Sequence, residues 1–350
     1  MRYLWALLLI TPLFAATGTD LTPHVGAIEI YGARKVPLQK ILKALAIKPG
    51  DILASREDAE DRVNKVSNIL VSRVEAACCT GHDMILYVGV EERDAPRMEF
   101  HPAPTGSLVL APSIVANYRR FLDEVEDSIR GKDADEDLTN GYSLMADPDC
   151  RSLQSGFIPV VAADLPNVAN VVRQSTDPEQ RAAAAYLLQY APRGSRTTPV
   201  MVDGIQWALQ DDDDTVREAA LHSLRAVMVG ARLHPDQEIH IEATWLVALM
   251  NSVVWSDRFH ASQALATLTE TPNPSALDLL RSQALPSVVE MARWRDLKHA
   301  LPSFLLAGRL AGMDEAQIKE AWSKEDREPV VQAAAGLHGK HPKKTKPATE

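Results

Sequence analysis

The side chains that could perform chemistry in this sequence do not form a catalytic motif. The ten histidines include no HExxH pair that would place two zinc ligands on one helix face. No GxSxG, phosphate-binding loop or dinucleotide fingerprint occurs, and Ser143 has no base close to it in sequence. We therefore predict a non-enzymatic protein without metal or cofactor. A catalytic set assembled from distant parts of the chain is the alternative.

Two groups of carboxylates could bind cations. Asp133, Asp135 and Asp137 have the spacing that opens a calcium loop, but leucine stands at both the glycine and the final glutamate positions. We predict a solvated acidic loop there, with a looser cation site as the alternative. The four aspartates at 211–214 precede a helical pattern, where a cap bond and the helix dipole favour anions. Metal or basic-partner binding is the alternative for this run.

The three cysteines are Cys78, Cys79 and Cys150, and an odd number leaves at least one thiol free or paired with another molecule. Neighbours on a strand point to opposite faces, so only one of Cys78 and Cys79 could readily reach Cys150. A disulfide from Cys78 or Cys79 to Cys150 could therefore form. Unbonded thiols, or a bridge between the two neighbours, are the alternatives.

Residues 1–19 have the layout of a secretory signal peptide. Arg2 is followed by an apolar run at 4–10, a proline at 12 and small residues at 15–18. That run is shorter than the ~20 residues that cross a bilayer. No later stretch looks long and apolar enough to cross one, so we predict no membrane span in the mature chain. The predicted location is the periplasm or the medium, and an uncleaved N-terminal anchor is the alternative.

The elements that must position these side chains fall into two regions. The 350 residues, 46% apolar and 24% charged, have globular composition and suffice for two domains. A net charge of -10 offers no attraction for a polyanion, so nucleic acid is not a predicted partner. Residues 20–100 mix strand-like alternation with helical spacing, in the order β-α-α-β-β. Ser55 is the predicted N-cap of the second helix.

This order and its spelling at 28–32 (IEIYG), 47–51 (IKPGD) and 86–92 (LYVGVEE) resemble a POTRA domain. POTRA domains are periplasmic modules of outer-membrane assembly proteins and of cell-division envelope proteins. The resemblance implies binding without chemistry, through pairing of an exposed sheet edge with an extended peptide.

The strand at 71–79 is the predicted edge of that sheet. Its alternation places Val74 and Ala76 on a packed face and Arg73 and Glu75 on a solvent-facing one. Arg73 and Glu75 are therefore predicted partner-binding residues.

The rest of the chain is helical in pattern. Residues 101–110 are a predicted linker, and 111–170 a helical bridge that contains the acidic loop. Residues 171–338 carry helix starts at Asp177, at Asp213 and near Asp257, spaced by about 36 and then about 44 residues, as in two-helix repeats. Residues 339–350 are a predicted disordered, basic tail.

The helix starts share the pattern Asp-x-x-Val-Arg-x-x-Ala-Ala-x-x-x-Leu. It is spelled best at 213–224 (DDTVREAALHSL) and resembles HEAT-type helical repeats. The resemblance implies an α-solenoid that binds partners on one surface. Trp207 and Trp245 are predicted anchors on it, because aromatic side chains often dominate interfaces. Filling the core between helices is the alternative for these tryptophans.

These patterns predict an α+β fold, in which a small β-α-α-β-β POTRA-like domain precedes an all-α HEAT-like solenoid. We expect residues 20–100 to fold on their own. The predicted function is that of an exported protein–protein interaction adaptor, which binds other proteins of the cell envelope through its sheet edge and its helical-repeat surface. An exported enzyme with a site between the two halves, and a purely structural envelope protein, are the alternatives.

Overall fold

The computed structural model describes residues 24–80, 83–95, 97–131, 135–237 and 239–337. The strands are β1 (Val25–Tyr31), β2 (Ile69–Thr80), β3 (Asp83–Glu92), β4 (Glu136–Asp137) and β5 (Leu144–Met145). The helices are α1 (Leu38–Leu45), α2 (Arg56–Asn64), α3 (Pro112–Gly131), α4 (Pro148–Gln174), α5 (Pro178–Leu187), α6 (Thr197–Ala208), α7 (Asp214–Leu233), α8 (Ala243–Leu249), α9 (Trp255–Leu268), α10 (Pro274–Leu279), α11 (Leu285–Met291), α12 (Leu297–Leu310), α13 (Glu315–Ser323) and α14 (Glu328–Ala335). A π-helical segment, Leu280–Ala284, joins α10 to α11. The predicted signal peptide and basic tail lie outside the described residues.

The first three strands form one sheet of order β1-β3-β2, in which β1 runs parallel and β2 antiparallel to β3. α1 and α2 cover one face of it, around a core that includes Ile41, Val74 and Leu86. Ser55 accepts the Asp58 backbone N–H (3.1 Å) and so begins α2. The structure confirms the predicted order β-α-α-β-β and the α+β fold class.

From α4 onward the helices form two layers. α5, α7, α9, α12 and α14 pack in succession in one layer, while α4 and α6 pack together in the other. Asp177 and Asp213 cap α5 and α7, which confirms those predicted helix starts. The apolar faces between the layers share one core, which extends from Cys150 to Ala334. We call α4 to α14 the helical array.

α4 is the long first helix of this array, and it is broken at Asp164 (φ -146°, ψ 45°). Pro166 cannot donate a backbone hydrogen bond and disfavours helical geometry before it. By length and composition α4 is also the one helix of the described residues that could cross a membrane. This differs from the expectation that no later stretch has those properties. In the structure α4 packs against α3, α5 and α6.

The predicted linker at 101–110 lies along the helices instead of spanning open solvent. The His101 N–H donates to the Gln210 carbonyl (2.7 Å), and the Thr176 N–H donates to the Gly106 carbonyl (3.1 Å). Because backbone bonds hold the segment at both places, it ties the sheet to the helical array.

Candidate functional site: the groove between sheet and helices

The second face of the sheet packs against the helical array. Tyr31, Ile85 and Tyr87 project from it into the core of the helices, because side chains alternate along a strand. The Tyr31 hydroxyl donates to the Val253 carbonyl (2.8 Å), and the Tyr87 hydroxyl lies 2.7 Å from Nδ1 of His299. Both buried hydroxyls thus have partners, which avoids the cost of an unpaired polar group.

A carboxylate from the sheet caps a helix of the array. Glu75 accepts the backbone N–H groups of Trp255 (2.6 Å) and Ser256 (3.3 Å), the first two residues of α9. The N-cap residue of α9 is Val254, whose side chain cannot accept a hydrogen bond, whereas Asp213 holds that position in α7. Glu75 therefore supplies from β2 the acceptor that α9 lacks.

This contact shows that the prediction of a solvent-facing Glu75 is wrong. Burial raises the pKa of Glu75, and its bonds to Trp255 and Ser256 lower it in part. Arg73, on the same face of β2, keeps 43% of its side chain exposed and lies 3.8 Å from Glu60. Alternation correctly places Arg73 and Glu75 together, but Ala76, expected on the packed face with Val74, is exposed. Alternation also cannot show which of Arg73 and Glu75 a distant helix covers.

The outer edge of β2 is partly occupied. Within the described sheet β2 pairs with β3 alone, which agrees with the predicted edge position. The Val74 N–H, however, donates to Oε1 of Glu60 (2.8 Å), and the Ser72 hydroxyl donates to the Glu60 carbonyl (3.1 Å). α2 therefore covers the middle of the edge, as proteins often protect edge strands. A partner strand would have to displace Glu60.

Three buried arginines link successive helices of the array. The pairs are Arg181–Asp211 (2.7 Å), Arg217–Asp257 (2.8 Å) and Arg258–Glu290 (3.1 Å). Only 3% of each arginine side chain is exposed, so each charge depends on its partner for compensation. Glu290 also accepts the Gly32 N–H (3.1 Å), so this arginine ladder ends on the sheet. Gly32 has φ +82°, and a Cβ there would lie 2.2 Å from the Val90 carbonyl oxygen.

A cavity of about 450 Å³ lies between the sheet and the array, beside the end of the ladder. Its lining carries four arginines and one carboxylate: Arg34, Arg97, Arg258, Arg281 and Glu91. Arg97 lies 3.3 Å from Glu91, and Arg258 is bound by Glu290. The lining is thus strongly basic in a chain whose net charge is -10.

The π-helical segment Leu280–Ala284 forms part of this basic wall. Asn251, at the end of α8, donates to the Gln283 carbonyl (3.1 Å) and accepts the Ser287 hydroxyl (2.7 Å). These bonds fix the segment so that Arg281 and Gln283 line the cavity. Such π-helical turns are rare and frequently occur at functional sites.

A second cavity, of about 300 Å³, adjoins the first. Glu91, Met98 and Asn251 line both cavities. The second is also lined by Arg73, Arg217 and the three aspartates at 212–214, so with Glu91 its four carboxylates outnumber its two arginines and make it acidic. We call the two cavities together the junction groove, which is basic at one end and acidic at the other.

The aspartate run at 211–214 begins α7, as predicted. Asp213 accepts the backbone N–H groups of Thr215 (2.9 Å) and Val216 (3.3 Å). Asp211 binds the buried guanidinium group of Arg181. The structure therefore confirms the capping interpretation and adds that the same run faces the junction groove.

The tryptophans Trp207 and Trp245 lie on α6 and α8 and do not line the junction groove. Trp207 stacks on His101 with ring centroids 3.8 Å apart, and the Arg173 guanidinium lies 4.3 Å from its ring. Trp245 is half-buried against the core. Their role as partner anchors stays a prediction, and the contacts observed are those of residues that fasten neighbouring segments.

Cys150 is a free and fully buried thiol. Its Sγ lies 3.5 Å from the Ser128 hydroxyl, where α3 meets α4, and burial raises its pKa. The disulfide from Cys78 or Cys79 to Cys150 is not formed, because Cys150 keeps a free thiol at the contact of α3 with α4. The side chains of Cys78 and Cys79 lie outside the described part of the structure.

Ser143 belongs to a buried polar network that the sequence did not reveal. Its hydroxyl donates to Glu136 (2.7 Å), and Arg225 binds the same carboxylate (2.9 Å), while His222 Nε2 lies 3.2 Å away without hydrogen-bond alignment. Burial raises the pKa of Glu136, but these contacts lower it further, to about 2. Because Ser143 is fully buried and bonds a carboxylate rather than an imidazole, the network fastens the β4–β5 hairpin to α7.

Within the described ranges, no group of three or more His, Cys, Asp or Glu side chains could hold a metal. Asp137 of the acidic loop accepts the Thr139 N–H (3.0 Å), and Asp133 lies outside those ranges. In the comparisons with known proteins, no family model matches the sequence, and the search of curated proteins gives no match. The junction groove therefore has to be interpreted from its own geometry.

Proposed function

We propose that this protein is an exported, non-enzymatic adaptor that binds other proteins of the cell envelope at the junction groove. The observation that carries the proposal is the groove itself. Buried contacts join the sheet to the array, and two cavities of opposite charge adjoin each other where the two regions meet. A preformed surface with both charges gives a protein partner orientation and specificity.

The resemblances noted in the sequence agree with this role. The β-α-α-β-β order and the layered, capped helices support a POTRA-like unit joined to HEAT-like repeats. Both kinds of module bind proteins. The proposal changes the expected binding surface, because Glu60 covers the middle of the β2 edge whereas Arg73 lines the groove.

Site-specific photo-crosslinking in the native host tests the proposal. A photoreactive residue at Gln283, exposed on the groove wall, should give a discrete adduct with an envelope protein. The matched control is Lys319, which is exposed on α13 and does not line the groove. We expect no adduct from position 319, and less adduct from position 283 in an Arg73→Glu background.

Equal labelling from both positions, or none from position 283, would contradict the adaptor proposal. The mature chain should begin between residues 16 and 20 on N-terminal sequencing, as cleavage of the predicted signal peptide requires. A cytosolic product that keeps Met1 would contradict the proposed location in the cell envelope.

A further inference from the structure

The basic cavity of the junction groove holds more positive charge than its surroundings neutralise. Glu91 forms an ion pair with Arg97, and Glu290 forms one with Arg258. Arg281 reaches Asp278 through one terminal nitrogen (3.1 Å), while its Nε is buried and has no hydrogen-bond partner among the described residues. A buried guanidinium donor without a partner is unusual and needs an explanation.

The loop across the cavity carries Arg34, whose side chain is exposed. Within the described chain, Arg34 has no ion-pair partner. The backbone N–H groups of Arg34, Lys35 and Val36 all donate to one oxygen of Glu92 (2.8 Å each). These bonds hold the loop in place, so the backbone of Arg34 is fixed in position before any ligand binds.

We propose that the basic cavity binds a carboxylate presented by an extended segment of the partner protein, with Arg34 and Arg281 as its direct ligands. The inference rests on the proposed adaptor function and names the chemistry of its partner. Guanidinium groups bind carboxylates through paired, charge-assisted hydrogen bonds.

The neighbouring acidic cavity decides in favour of a peptide carboxylate. A free phosphate would use the basic end alone and would leave the acidic end, with its aspartates at 212–214, without a partner. An extended segment with acidic residues at one end and basic residues at the other matches both ends of the groove. Met98 lines both cavities and offers the apolar contact between those ends.

Isothermal titration of the full mature chain, in a phosphate-free buffer, tests this inference. The probe is the peptide acetyl-Glu-Glu-Leu-Lys-Lys-amide, and the control peptide carries glutamine in place of both glutamates. We expect the control to bind at least about tenfold more weakly, since charge-assisted bonds are lost. Inorganic phosphate should not compete with the probe.

The protein variants are Arg281→Gln and Arg34→Gln, each of which should weaken probe binding by about tenfold. Arg232→Gln is the matched control, because Arg232 forms an exposed pair with Glu270 away from the groove. Helical circular dichroism establishes that each variant is folded. Arg34 is exposed, so its variant keeps the test valid if Arg281→Gln fails to fold.

Unchanged affinity in the folded arginine variants, equal binding of the glutamine peptide, or binding of phosphate in place of the peptide would each overturn the inference. Its failure can be told from failure of the adaptor proposal. An adduct at position 283 without peptide binding would support the adaptor function and contradict the carboxylate-binding site. Peptide binding without an adduct at position 283 would support the carboxylate-binding site and contradict the adaptor function.

Discussion

Two neighbouring helices, α7 and α9, carry the same kind of buried arginine but obtain their N-caps from different places. Asp213 caps α7 from the residue before the helix. α9 has Val254 at that position and is capped by Glu75 from β2. The difference shows that the sheet supplies an N-cap acceptor that other helices of the array obtain from their own sequence. Sheet and array therefore set the geometry of the junction groove together.

The largest effect should come from the pair that joins α7 to α9. Arg217→Met would leave the buried Asp257 carboxylate without its cation, although burial already raises the pKa of Asp257. We expect a loss of about 3–5 kcal/mol in the free energy of unfolding, measured by urea titration.

The control for Arg217→Met is Arg232→Met, which breaks an exposed pair with Glu270 and should cost below about 1 kcal/mol. If the two variants lose the same stability, the arginine ladder is not what holds α7 to α9. The double variant Arg217→Met with Asp257→Leu should regain much of the loss, because no uncompensated charge remains.

Both helices also receive a carboxylate from outside the array, and the two should respond to pH in opposite directions. The pKa of Glu136, bound to α7, is lowered from 4.5 to about 2. Its contribution, of the order of 3 kcal/mol, is present above about pH 4.5 and is lost as pH falls towards 2. The pKa of Glu75 is raised, so protonation just above pH 4.5 favours the folded state at that site.

Unfolding free energies of Glu136→Gln and Glu75→Gln between pH 7 and pH 3 measure this contrast. Glu136→Gln should flatten the loss of stability on acidification, whereas Glu75→Gln should steepen it. Identical pH profiles for the two variants would show that their environments do not differ as described.

A smaller effect is expected at the shared cap. Glu75→Ala removes the acceptor of Trp255 and Ser256 and should cost about 1–2 kcal/mol. Glu75→Gln keeps an oxygen acceptor and should cost less. In the Glu75→Ala background, Val254→Asp restores a local cap like Asp213, whereas in the wild type it adds a second carboxylate beside Glu75. A double-mutant cycle should therefore be non-additive, and strict additivity would mean that the two positions do not share one cap.

The sequence predicted the parts of this fold that depend on neighbours along the chain. Ser55, Asp177 and Asp213 are recognisable in the sequence as caps because each acts on its own helix. The role of Glu75 was not predictable, since its partner Trp255 lies 180 residues away. The Ser143 network is not visible in the sequence for a different reason: Glu136 is only seven residues away, but a hairpin has to turn it towards Ser143.

The junction groove was beyond sequence reasoning for the same physical cause. Arg34, Arg73 and Arg281 come from three separate segments, and each is unremarkable in its local pattern. Only the docking of the sheet on the array brings them to one seam. The expectation that residues 20–100 fold alone stays a prediction. The structure adds that such a fragment would expose Tyr31 and Tyr87, which the array buries.

Amide hydrogen exchange on the full chain tests most directly whether the sheet holds the array at this seam. In the wild type the first turns of α7 and α9 should both be protected. Glu75→Ala should accelerate exchange at Trp255 and Ser256 while the first turn of α7 stays protected by Asp213. Unchanged exchange at Trp255 and Ser256 in that variant would contradict the conclusion that the sheet supplies the cap of α9.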